Sequence, residues 1–257
     1  MRGTGHDGGC GPGSSDVASE PESSPAGAFA PAGLTLPSSS RTNQPESAKQ
    51  PADDGSVPDP ECVDNSLSEA KAALRARILG VRRAMHEDQR AAAGRQLRDA
   101  VLGLPELQMA GTVAAYMSVG TEPATQGLIF ALWKRGTYVL LPVLLPDGDL
   151  DWATYEGPDS LVPGPRGLIE PGGDRRGVTA ICSADLVVVP ALAVDQAGRR
   201  LGRGGGSYDR ALRRLGPAIL TVALLYDGEL VDHVPAGGHD EPVRAVALPG
   251  QGISRLR

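Results

Sequence analysis

The chain has 257 residues, of which 40% are hydrophobic and 22% charged, with a formal net charge of −6 at pH 7, enough for one large domain or two small ones. The charge is uneven: residues 1 to 65 carry three Lys/Arg against ten Asp/Glu, which leaves the remainder with 22 against 21. A near-neutral body lacks the basic footprint of a nucleic-acid binder, and no run of about 18 apolar residues is present to span a membrane.

Residues 1 to 65 are rich in Gly, Ser, Pro and acids and hold neither Trp nor Tyr. Such a segment buries too little surface to offset its ordering entropy, so it is expected to be a disordered tail, with one α/β domain over residues 66–257. It has no cationic segment followed by an apolar run, and its acidity does not suit a transit peptide. Translation beginning near Val63 is a further possibility that intact mass would decide. Cys10, Cys62 and Cys182 stand too far apart for a disulfide framework or a cysteine zinc site, and a cytoplasmic protein is expected.

Order is expected from Ser66, where Ser66 to Glu69 has capping-box spacing and Leu67, Ala70, Leu74, Ile78 and Val81 recur at helical intervals. Lys71 and Arg75 lie one turn apart on an adjoining stripe. Two such cations repel slightly unless an anion lies between them, although from spacing alone a solvated basic face is the simpler reading. A second helix is expected over His86 to Leu104. Then the period changes: Thr112 to Met117 reads as a strand, Pro123 to Arg135 as a helix and Tyr138 to Pro142 as a strand, a βαβ unit. The loop at the carboxyl end of its first strand holds Ser118 and Glu122, where open α/β sheets bind ligands.

Leu150 to Tyr155 alternates like a hairpin arm, and Trp152 within it is a candidate stacking platform, though a core tryptophan is the commoner case. A Pro/Gly-rich loop follows, interrupted by Leu168 to Pro171. Asp185 to Pro190 has the apolar, β-branched pattern of a buried strand, as does Leu220 to Leu225, and Val243 to Leu248 is expected to be the last strand. Between the first two lies Arg199 to Arg210, with four glycines, four arginines and one carboxylate in twelve residues. It leads into a helix expected over Arg210 to Leu215. Glycines between a strand and a helix let backbone N–H groups approach an anion, so this stretch is a candidate phosphate site, against an ordinary turn with solvated arginines. It fits neither the dinucleotide fingerprint nor the P-loop. Asp209 within it and the distant Asp240 would suit a hard cation beside phosphate if the fold brought them together. His233 and His239 lack helical metal spacing.

The run Arg200-Leu-Gly-Arg-Gly-Gly-Gly-Ser-Tyr-Asp209, preceded by Val189 to Asp195, resembles the signature of the 5-formyltetrahydrofolate cyclo-ligase (methenyltetrahydrofolate synthetase) family. Lys71, Arg75, Met117, Glu122, Ile169-Glu-Pro171 and His239-Asp240 match in the same order, so the resemblance covers roughly Ser66 to Pro249. It implies an α/β domain with a mostly parallel sheet flanked by helices, like the ribose-isomerase and CoA-transferase group. It also implies an enzyme dependent on ATP and Mg²⁺ that acts on a folate, expected to be a monomer without nucleic-acid or membrane partners. Carried over, Lys71, Arg75, Arg200, Leu201, Gly202, Arg203, Gly204, Gly205, Gly206, Ser207 and Tyr208 would hold ATP. Met117, Glu122, Arg203 and the loop from Gly204 to Ser207 would hold the folate, with Trp152 added as a stacker on the residues alone. Arg203, Lys71 and Tyr208 would serve catalysis, and Asp209 and Asp240 would ligate Mg²⁺. Ser207 departs from the family pattern, which commonly has a second tyrosine there. A non-catalytic folate- or nucleotide-binding protein and a sugar-phosphate isomerase of the same fold group are the alternatives.

Overall fold

The computed structural model describes residues 60–256, with side chains from residue 65. The expected tail therefore lies outside the described residues as far as residue 59. Helix α1 (Pro60–Ala84) begins earlier than the expected Ser66 cap. Proline suits a first helical position, so the helix opens there and Ser66 lies within it rather than capping it. Helix α2 (Glu87–Leu102) is preceded by His86, whose backbone N–H donates to the Gln89 side chain at 2.9 Å. It ends before the expected Leu104, and a short α3 (Pro105–Gln108) follows.

Strand β1 (Thr112–Ala114), helix α4 (Gln126–Lys134) and strand β2 (Tyr138–Leu144) form the expected βαβ unit, with Val113 paired to Val139 in parallel. Strand β3 (Leu150–Thr154) returns antiparallel to β2. Strands β4 (Leu161–Pro163) and β5 (Ile169–Pro171) make a separate hairpin. Next come β6 (Leu186–Pro190), the short pair β7 (Ala193–Asp195) and β8 (Arg200–Leu201), and α5 (Ser207–Arg213). Strands β9 (Leu220–Leu224), β10 (Leu230–Val231), β11 (Ala245–Leu248) and β12 (Gly252–Arg255) complete the chain. β12 lies beyond the strand expected to be last and pairs antiparallel to β11.

The main sheet has the order β12-β11-β9-β6-β1-β2-β3, parallel from β11 to β2 with an antiparallel strand at each edge. Both faces are covered, which is why β6 and β9 are apolar but for Thr221, whose hydroxyl accepts the Arg244 N–H at 3.0 Å. Leu186, Val188, Val222 and Leu224 pack with Leu97, Val101, Leu128 and Leu132 of α2 and α4 on one face. Val187, Val189 and Ala223 pack with Trp152, Ala211 and Leu212 on the other. From β1 the chain crosses to β2 on one side, and from β6 it continues to β9 on the other. The adjacent β1 and β6 therefore form a switch point, where a crevice opens at the carboxyl ends of the strands.

A second, three-stranded sheet, β10-β7-β8, carries α1 through Ile78, Leu192, Leu201 and Val234. Its hairpin turn is held by Asp195, fully buried, whose carboxylate accepts the backbone N–H groups of Ala197, Arg199 and Val234 and the Arg199 Nε at 2.6 Å. Burial raises this carboxyl, but those donors outweigh it and hold it below its ordinary value. A second buried anchor joins α1 to the sheet region. Arg82 donates from Nε and Nη2 to both oxygens of Glu229, each at 2.7 Å, and from Nη2 to the Ala191 carbonyl at 2.7 Å.

Candidate active site

A cavity of about 800 Å³ occupies the crevice. Its walls come from α1, the ends of β1, β2 and β6, the β4–β5 hairpin, the glycine-rich loop with α5, and the segment before β11. α1 buries Ile78 against the small sheet, and that orientation turns the adjoining stripe inward. Lys71 Nζ meets Asp240 Oδ2 at 2.5 Å, and Arg75 Nε donates to the Gly202 carbonyl at 3.0 Å. The two cations are therefore not a merely solvated face.

The glycine loop does not follow β6 directly, as the sequence alone suggested; the β7–β8 hairpin intervenes and delivers it. Gly204 lies at φ 102°, a conformation that L side chains rarely adopt, so glycine is what lets the loop take this course past the Arg75 guanidinium. α5 starts at Ser207, earlier than expected, which places Asp209 in its first turn.

Arg203, 53% exposed at its side chain, donates from Nε to Glu122 Oε1 at 2.9 Å. The other Glu122 oxygen accepts the Val119 N–H at 2.9 Å, and the Glu122 backbone carbonyl accepts the Tyr226 hydroxyl at 3.2 Å. Met117, nearly buried, lines the same wall. Arg200 is buried: its Nη2 donates to Asp209 Oδ1 at 2.7 Å, its Nη1 to the Pro190 carbonyl at 3.2 Å, and its guanidinium lies 5.9 Å from the centre of the Tyr208 ring. Tyr208 is half-buried, with its hydroxyl end closed off and unpaired among the described residues, and burial pushes that phenol upward. Leu201 packs its side chain into the small core and also lines the cavity. Gly205, Gly206 and Ser207 lie on the wall beside them.

Asp209 and Asp240, distant in sequence, both line this cavity. Burial raises the Asp240 carboxyl, but the Lys71 ammonium and the Gly237 N–H, at 2.7 Å, bring it below its ordinary value. Among the described residues no group of three or more His, Cys, Asp or Glu is arranged to hold a metal by itself.

One expected residue is corrected. Trp152 is fully buried in the core beside Leu140, Ile181 and Val187, and it does not line the cavity, so it has no free face for stacking. Strand alternation turned it into the layer between β3 and α5. Sequence reasoning placed Arg210 only within the candidate phosphate stretch, and it missed Arg213, Arg166 and the apolar wall of Pro142, Leu144, Leu150 and Leu168. Arg210 Nη2 donates to the Gly148 carbonyl at 2.5 Å and to the Gly205 carbonyl at 3.4 Å, tying the loop to the β2–β3 turn. Spacing gave some signal for Arg210, one residue beyond Asp209, and none for the apolar wall, which comes from separate strands.

A model of the 5-formyltetrahydrofolate cyclo-ligase family matches residues 67–249. The chain belongs to this family. A 5-formyltetrahydrofolate cyclo-ligase of Mycolicibacterium smegmatis is 39% identical over 194 residues, covering 73% of this chain and 98% of the relative. The 5-formyltetrahydrofolate cyclo-ligase of Escherichia coli is 36% identical over 173 residues, covering 66% and 95%. The solved 5,10-methenyltetrahydrofolate synthetase of Aquifex aeolicus superposes with a TM-score of 0.64 at 28% identity, covering 73% of this chain and 93% of its own. The single α/β domain with a mostly parallel, helix-flanked sheet is thus the cyclo-ligase fold. Among the described residues no helix is long and apolar enough to cross a membrane.

Proposed function

We propose that this chain closes 5-formyltetrahydrofolate to 5,10-methenyltetrahydrofolate at the expense of ATP, releasing ADP and phosphate. The observation that carries the reading is the convergence of the first-helix cations, the glycine loop and Glu122 on one cavity, from segments far apart in sequence. A formamide oxygen is a poor leaving group. In the proposed course it takes the ATP γ-phosphoryl, N10 then attacks the formyl carbon, and the phosphate departs with that oxygen.

The residues present suit such chemistry, in which positioning and charge neutralisation do most of the work. Lys71, Arg75 and the backbone of Gly202 to Ser207 hold the polyphosphate. Arg203, the most exposed of the ion-paired cations at the loop, meets charge on the transferring group as it turns from Glu122. Glu122, so released, accepts hydrogen bonds from the pterin edge, and Met117 packs beside it. Tyr208, with its raised phenol, stays protonated, and its closed-off hydroxyl donates to the reacting groups once movement of the glycine loop uncovers it.

Asp209 and Asp240 fit Mg²⁺ as a pair of carboxylates completed by phosphate oxygens and water, the set this ion ordinarily takes. Bound there, it would neutralise polyphosphate charge; Lys71 and Arg200, which now occupy these carboxylates, would then be free for the nucleotide. A cytoplasmic monomer without nucleic-acid partners completes the proposal, and light scattering of the purified protein tests its size. Absorbance of the methenyl product, followed with and without ATP and Mg²⁺, tests the reaction. ATP-dependent product is expected; binding of folate without turnover would favour a sequestering protein, and turnover of a sugar phosphate without ATP an isomerase.

A further inference from the structure

The basic side chains of the cavity differ in one respect. Lys71, Arg75, Arg200, Arg203, Arg210 and Arg213 each have a hydrogen-bond or ion-pair partner, whereas Arg166 has none among the described residues. Arg166 also comes from a different element, the connection between β4 and β5 rather than the glycine loop or α1. The same cavity is lined by Leu168 of this hairpin and by the apolar Pro142, Leu144 and Leu150 of β2 and β3.

The hairpin is fixed in place. Glu170 is buried, 5% exposed, and its carboxylate accepts the Leu144 N–H at 2.9 Å, anchoring β5 to the end of β2. Gly164 sits so close to it that a Cβ would lie 2.6 Å from the Glu170 carboxyl carbon. The Gly164 N–H donates to the Leu168 carbonyl at 2.8 Å, closing the turn. Within that turn Arg166 has φ 56°, a positive value that no other non-glycine among the described residues adopts. A left-handed arginine between Pro165 and Gly167 persists only where the surroundings impose it, and such outliers concentrate at ligand clamps.

We propose that Arg166 recognises the glutamyl carboxylates of the folate, the charged end remote from the formyl group; this rests on the cyclo-ligase reading above. A folate presents three chemistries: a hydrogen-bonding pterin edge, a flat benzoyl ring and a glutamate. The cavity presents Glu122, an apolar wall and an unpaired guanidinium. The polyphosphate already has the loop and the α1 cations, while the guanidinium fork of Arg166 matches a carboxylate.

The test compares 5-formyltetrahydrofolate with its α,γ-diamide, in which both carboxylates are neutral, by calorimetric binding and by initial rates, in the full chain and in Arg166→Gln and Arg166→Lys. Glutamine keeps the same backbone requirement at this exposed position, and unfolding curves check that the fold is unaltered. The original protein is expected to bind the acid roughly five- to tenfold more tightly than the diamide, as for a partly exposed charge-assisted contact. Arg166→Gln should bind the two equally, with kcat and the KM for ATP unchanged, and Arg166→Lys should restore part of the preference. Retained discrimination in Arg166→Gln overturns the assignment, as does a rise in the KM for ATP in place of the folate effect. Failure of the original protein to bind either folate refutes the cyclo-ligase reading itself, and the assignment falls with it.

Discussion

Glu229→Gln removes the counter-charge of a buried cation. The Arg82 and Glu229 side chains are 0% and 3% exposed, and three contacts of 2.7 Å join Arg82 to the two Glu229 oxygens and to the Ala191 carbonyl. Burial pushes the Glu229 carboxyl up and Arg82 pulls it back, so the pair spends much of its Coulombic attraction on desolvation. A glutamine leaves the guanidinium buried and uncompensated, at a cost of about 3–5 kcal/mol. For a domain of this size that corresponds to a Tm lowered by roughly 6–20 °C. Replacing both residues, Arg82→Met with Glu229→Leu, removes the stranded charge but orphans the Ala191 carbonyl and the Tyr226 N–H, which Glu229 accepts at 2.8 Å. The double variant should therefore recover to within about 2 kcal/mol of the original. Urea unfolding of the three proteins measures this. A loss below about 1 kcal/mol for Glu229→Gln, or a double variant less stable than the single one, would refute the reasoning.

Three further outcomes are expected. Arg203→Ala should lower kcat by roughly 10²-fold or more while weakening ATP binding far less, because its charge acts mainly in the transition state; equal losses in steady-state rate and calorimetric affinity would assign it to ground-state binding. Asp240, whose folded-state carboxyl lies below its ordinary value, contributes stability above that ordinary value, and the contribution disappears as pH falls through the depressed one. Urea unfolding should thus show Asp240→Asn less stable than the original near neutral pH, with the difference closing below about pH 4; a difference that persists in acid argues for lost packing instead. Trp152→Phe should cost about 1–3 kcal/mol of stability through the space left in the core, and should leave the KM for folate unchanged. A raised KM at unchanged stability would restore the stacking role.

Much of the site was legible because its parts are chemically unusual where they stand. Four glycines and four arginines in twelve residues are a pattern that neither packing nor solvation alone requires, whereas Lys71 and Arg75, which by spacing alone suit a solvated face, were marked out by their place in the ordered set of family motifs. Trp152 was misplaced for the opposite reason: an aromatic in an alternating strand has the same local pattern whether its face looks into a cavity or into a layer of helix. The apolar wall and Arg166 carried no local signal, since leucines and a loop arginine become a binding surface only by what they face.

The sequence by itself determined the layers. The near-continuous apolar runs of β6 and β9 have to be buried on both faces, and the helical stripes between them supply the cover, so a parallel sheet wrapped in helices follows from periodicity alone. It also determined which residues carry charge suited to phosphate and folate. Only the tertiary structure decided how those charges pair. Asp240 meets Lys71 across 169 positions, Glu122 meets Arg203 across 81, and the hairpin held by Asp195 sets where the glycine loop emerges. Such pairings depend on where strands sit in the sheet and on the turn that delivers each loop, and neither is encoded in the local period of the chain.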